Sequence, residues 1–132
     1  MTNRRIRCDT RTMRTGRCML DEERTLKIDK DCFVDPDWIQ DYVRMTIATC
    51  RLKRVRVVRI CMSRSRRKGF HFYIDIAPPV EAELGNRLQW LLGDDCRRVD
   101  RNRARIRSGL DEWNKLFETA RSRFRTIYRS RR

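Results

Sequence analysis

One histidine, His71, serves the whole 132-residue chain, and none of the six cysteines (positions 8, 18, 32, 50, 61 and 96) stands in a C-x-x-C pair. Zinc-finger spacing, which needs closely spaced pairs of such ligands, is therefore excluded. No apolar run approaches the ~20 residues required to span a bilayer. The stretch 1–17 is basic but has no apolar signal core, which argues against export and for an intracellular protein. A reduced compartment is then expected, although the even cysteine count leaves disulfides open. Cys50 and Cys61 fall in apolar segments and read as small core residues. There are no internal repeats, and the length suits one domain with a modest core.

Lysine is also scarce: 5 of the 33 basic residues, leaving 28 arginines. Against 18 Asp and Glu this gives 33 − 18 = +15. A chain of this charge binds polyanions, and planar guanidinium groups match phosphate oxygens and stack on bases better than ammonium groups do. Nucleic acid is the expected partner, and no membrane is expected. The competing explanation is an Arg-rich surface arising from genome composition or heat adaptation.

Residues 1–24 are polar and Arg-rich without periodicity and read as a basic arm, either ordered by a polyanion or a plain tail; residues 25–132 read as a single domain. Thr25 to Asp31 alternates as a first strand. Asp35, Pro36 and Asp37 open a helix that runs to about Arg51, with Asp35 as its N-cap. Val55 to Met62 is a second strand and Phe70 to Ile76 a third. Val80 to Leu92 forms a second helix closed by Gly93. The stripes Trp38/Tyr42/Met45 and Leu84/Leu88/Leu91 read as core. Asp94 to Gly109 is too charged to assign, and its arginines read as either a solvated helix or a phosphate track. Trp113 to Phe117 reads as a short fourth strand or the start of a last helix over 118–128.

The order predicts an α+β fold: a ferredoxin-like or RRM-like βαββαβ antiparallel sheet with helices on one face. The first and third strands would lie together at its centre. Phe70, Phe72, Ile74 and Ile76 would face the helices with Leu26 and Ile28. Asp29, Asp31, His71, Tyr73 and Asp75 would share the other, open face, where Asp75 is also placed to pair with a neighbouring arginine.

Three families offer themselves for that patch. Lys68-Gly69-Phe70-His71-Phe72 follows the start of the RNA-recognition-motif pattern K/R-G-F/Y-G/A-F. That reading turns Phe70 and Phe72 outward and drives His71, Tyr73 and Asp75 into the core, where an unpaired carboxylate costs several kcal/mol. Replication-initiation (relaxase-like) nucleases use the same topology but want two histidines flanking one hydrophobic residue. The closest resemblance is to the archaeo-eukaryotic primase (primase-polymerase) superfamily, which includes the polymerase domain of bacterial end-joining ligases. Ser65, Lys68, Gly69 and His71 resemble its S-x-x-K/R-G-x-H motif, and Ile28-Asp29-Lys30-Asp31 resembles its hydrophobic-D-x-D motif. The segment Asp94-Asp95 followed by Val99, Asp100 and Arg103 loosely resembles the third. This chain is far shorter than a usual primase domain and lacks a zinc-binding stem, so it would be a compact or divergent member.

The chemistry suits the spacing. Carboxylates two apart on a strand share a face, ~6–7 Å apart at the backbone, and can jointly hold Mg²⁺ or Mn²⁺. The resemblance implies metal-dependent nucleotidyl transfer in DNA replication or repair. Asp29, Asp31 and Asp95 (or Asp94) would be the metal ligands and catalytic carboxylates. Ser65, Arg67, Lys68, His71 and Arg103 would bind a nucleoside triphosphate, with a helicase or another replication protein as a further partner. The competing expectation is a non-catalytic RRM-like DNA- or RNA-binding protein.

Overall fold

The computed structural model describes residues 23–30, 36–64, 69–115 and 124–131. In chain order the elements are β1 (Thr25–Lys30), α1 (Pro36–Leu52), β2 (Arg56–Arg64), β3 (Phe70–Ala77), α2 (Ala82–Leu91), α3 (Cys96–Arg107) and β4 (Arg125–Arg129). The basic arm up to residue 22, the Asp35 cap and the 65–68 turn lie outside the described residues.

Four antiparallel strands form one sheet in the order β1-β3-β2-β4. The chain is therefore an α+β protein, and β1 and β3 are neighbours as expected. The last strand, however, lies beside β2 at the far side, so β1 is an edge strand instead of a central one. Alternation in β3 sends Phe70, Phe72, Ile74 and Ile76 inward with Leu26, Ile28, Ile60 and Met62, against Val43 and Cys50 of α1 and Leu88 of α2. Tyr42 stacks on Phe72 with ring centroids 4.5 Å apart, and its hydroxyl donates to the Leu92 carbonyl (2.8 Å). Burial raises the Tyr42 pKa well above the ordinary phenol range.

Several local expectations are corrected. The α1 core stripe is Ile39, Val43, Ile47 and Cys50, while Trp38 and Met45 are 59% and 39% exposed. In α2, Leu88 is fully buried but Leu91 turns outward. The charged stretch after Gly93 is a helix, α3. Gly93 sits at φ +93°, a left-handed conformation that suits glycine at a helix end, and Asp95 caps α3 by accepting from the Arg97 N–H (3.2 Å). Arg105 and Arg107 complement its C-terminal dipole. The helix expected over 118–128 is not formed at its end: residues 125–129 are strand. Thr126, Ile127 and Tyr128 favour an extended chain once β2 offers an edge to pair with, a partner that no local window displays.

Cys50 and Cys61 are buried free thiols and Cys96 is exposed. Cys50 lies in the helix-side core, whereas Cys61 faces the other way, with Sγ 3.7 Å from Thr126 Oγ1. Burial pushes the Cys50 thiol up to about 11 from an ordinary 9.0. Unfolded chains ionise at the lower value and folded chains at the higher. The thiol's contribution to stability is thus intact below pH 9 and is lost as pH climbs from 9 towards 11. Peptide-resolved alkylation of native protein at pH 8 should label Cys96 and spare Cys50 until denaturant is added; equal labelling of both would contradict this packing.

Candidate functional site

The outer edge of β1 carries backbone groups that another strand would ordinarily pair with. Here side chains take them. The Lys27 N–H donates to Gln89 Oε1 (2.9 Å), the Lys27 carbonyl accepts from Arg98 Nη2 (2.8 Å), and the Asp29 N–H donates to Asp94 Oδ1 (2.8 Å). Asn114 completes the clamp. It exchanges amide hydrogen bonds with Gln89 (2.6 and 3.2 Å), its Oδ1 accepts from Arg98 Nη2 (3.1 Å), and its backbone carbonyl accepts from Lys27 Nζ (2.8 Å). Arg98 Nη1 also donates to the Lys115 carbonyl. Gln89, Asp94, Arg98 and Asn114 are all buried, and most of their hydrogen bonds are made in a low-dielectric setting where an unmade one is costly. With its edge closed in this way, β1 has no place for β4.

This clamp settles what Asp94 does. Its carboxylate accepts from Arg98 Nε (3.1 Å) and from the backbone N–H groups of Asp29 and Asp95 (2.8 and 2.9 Å). Burial raises its pKa, against the opposing pull of Arg98 and of those N–H groups. Asp94 thus reaches Asp29, but it meets the backbone and not the carboxylate. Asp95 is committed to capping α3. Neither fits the part of a third metal ligand, because a cation at Asp94 would lie against the Arg98 guanidinium. Among the described residues no group of three His, Cys, Asp or Glu side chains is placed to hold a metal ion. Asp31 lies outside the described residues, as do Ser65, Arg67 and Lys68.

What the structure does bring together is Asp29 and His71. The β1–β3 register sets them opposite each other, and His71 Nε2 lies 3.4 Å from Asp29 Oδ1. His71 is buried, and its Nδ1 has no hydrogen-bond partner among the described residues. A carboxylate on one ring nitrogen leaves the other to accept a proton or to donate to an anion.

The face around this pair is less open than expected. Lys27, Cys61, Ser63, His71 and Tyr73 are all buried, and Phe124 packs on Tyr73 at 4.5 Å between centroids. Asp75 accepts from Thr25 Oγ1 (2.9 Å) and pairs with Arg59 Nε (3.0 Å), the arginine partner anticipated for it. Beside His71, the Asp29 carboxylate retains 30% exposure of its side chain.

Arg103 is not near that pair. It lines a hollow of about 280 Å³ between α2 and α3, with Trp90, Arg87 and Arg107. The outer side of α3 exposes Arg97, Arg101, Arg103 and Arg107, with Asp100 as its one exposed acid. The helical spacing of these arginines could have been found in the sequence; the roles of Gln89 and Asn114 could not.

A comparison with known protein families, with curated proteins and with solved structures finds no match for this chain. No helix among the described residues is long and apolar enough to cross a membrane.

Proposed function

We propose that this chain is an intracellular nucleic-acid-binding domain whose main phosphate contact is the outer side of α3. One observation carries the reading: four exposed arginines, Arg97, Arg101, Arg103 and Arg107, occur within a single helix against one exposed acid. They are spread over ~15 Å of helix axis, enough to meet several successive phosphates. The protein's +15 charge supplies the long-range attraction. The chain order β-α-β-β-α supports a ferredoxin-like or RRM-like ancestry, with the final strand moved to the β2 edge. The inward Phe70 and Phe72 speak against base stacking on the sheet in the RNA-recognition-motif manner. Anisotropy titration of a labelled oligonucleotide tests the reading: log K should fall steeply and linearly with log salt. A flat response removes it.

Divergent primase-polymerase chemistry is the second reading, and the Asp29–His71 pairing favours it, because it joins the two motifs that carry that resemblance. In such a site His71 would hold a triphosphate oxygen, with Ser65, Arg67 and Lys68 preceding it in sequence. The described carboxylates do not complete a Mg²⁺ or Mn²⁺ site, since Asp94 and Asp95 are engaged elsewhere. Template-dependent nucleotide incorporation with Mn²⁺ or Mg²⁺ decides the matter: product that vanishes in Asp29→Ala/Asp31→Ala supports transfer. No product from the parent chain, with oligonucleotide binding intact in the double variant, leaves the binding reading alone.

A further inference from the structure

At the end of the sheet remote from His71, where β3 finishes and β2 begins, a groove of about 510 Å³ opens between the last turn of α1 and β4. Four arginines line it: Arg51 and Arg54 from the end of α1, Arg56 from the first position of β2, and Arg131 from just after β4. No acidic side chain is among its lining residues, while Ile47 and Tyr128 supply an apolar and aromatic wall. Six residues along β3 separate this end from His71, ~20 Å of extended chain.

Arginine at the end of a helix has an ordinary use, since it offsets the partial negative charge of the terminal carbonyls. That accounts for Arg51 and in part for Arg54, but not for Arg56 and Arg131, which come from the sheet side. Arg54 carries a further sign. Its φ is +60°, and it is the one non-glycine residue with positive φ among those described. The Arg54 N–H donates to the Arg51 carbonyl, and the next N–H, of Val55, reaches back to Cys50 (3.0 Å), so the chain needs a left-handed residue at this point. Glycine or asparagine is the usual occupant of such a position. An arginine there accepts backbone strain in order to set a guanidinium at the rim of the groove.

We propose that this groove binds a nucleoside phosphate. The arginines take the phosphate oxygens by charge-assisted hydrogen bonds, and the base lies against Tyr128 and Ile47, as aromatic side chains bind bases without reading their sequence. The volume is within the range of small-molecule sites. The ligand is either a free nucleotide or the phosphorylated terminal nucleotide of a strand, which share this chemistry. The site is separate from the α3 arginines and does not require them.

Calorimetric titration of the full chain with ATP tests the assignment. ATP should bind the parent and the variant lacking the four exposed α3 arginines alike. Arg54→Gly and Arg56→Gln should each weaken it about tenfold or more. Arg54→Gly relieves the strained backbone, so its Tm should equal or exceed that of the parent; lost binding in a protein at least as stable cannot be ascribed to misfolding. Inorganic pyrophosphate should bind more weakly than ATP, and Tyr128→Leu should abolish that difference. A 5′-phosphorylated oligonucleotide that displaces ATP more effectively than its unphosphorylated twin, in an Arg54-dependent manner, identifies a strand end as the ligand; ATP binding without such displacement identifies a free nucleotide. ATP affinity unchanged by both arginine variants, or pyrophosphate binding as tightly as ATP, overturns the proposal.

Discussion

Arg98→Met should destabilise the fold by about 3–5 kcal/mol, the usual effect of removing one partner of a buried ion pair. Domains of this size have total stabilities of about 5–15 kcal/mol, so the variant should sit close to the unfolding threshold. The substitution keeps much of the side-chain volume but strips donors from the Asp94 carboxylate, the Lys27 carbonyl and Asn114 Oδ1 together. It also removes the guanidinium that holds the Asp94 pKa down against burial. The folded-state pKa of Asp94 then rises further above its unfolded value, and protonation favours the folded state. The deficit should therefore be smallest in acid and should grow as pH rises through the raised value. Urea unfolding across pH checks this: a loss under about 1 kcal/mol, the scale of a surface pair, would show that the clamp does not hold the β1 edge.

Removing four charges from α3 should have the largest effect on binding. In Arg97→Gln/Arg101→Gln/Arg103→Gln/Arg107→Gln the slope of log K against log salt should shrink by about 3.6, taking 0.9 per phosphate neutralised. Between 50 and 200 mM salt the parent's affinity should thus fall about a hundredfold more than the variant's. All four side chains are exposed, and among the described residues no side-chain hydrogen bond or ion pair engages them. Unfolding midpoints should change little, because exposed positions free of such contacts tolerate substitution. An unchanged slope would move the phosphate contact away from α3.

Much of the fold could be read along the chain, because strand alternation and helix end signals are local. Phe70, Phe72 and Ile74 face the helices as their period of two requires, and Pro36 and Gly93 mark helix boundaries as their backbone preferences dictate. The pairing of Asp29 with His71 followed from setting β1 beside β3. The candidate site was less legible. Asp94 and Asp95 were indistinguishable as letters, two adjacent carboxylates after a glycine. In the structure one is buried under Arg98 and the other caps a helix. The exposure of Trp38 and Leu91 was likewise hidden, since a stripe gives the period of a helix but not its rotation against a sheet.

The amino-acid order by itself determined the charge, the inward set of β3 and the elements from β1 to α2, since each depends on composition or on neighbours a few residues apart. Tertiary structure alone decided the strand order and the occupation of the β1 edge. It also decided that residues 125–129 extend. All three turn on hydrogen bonds between residues tens of positions apart: Gln89 to Lys27, Arg98 to Lys27 and β4 to β2. Once side chains had satisfied the outer groups of Lys27 and Asp29, the last strand could gain backbone partners only on β2.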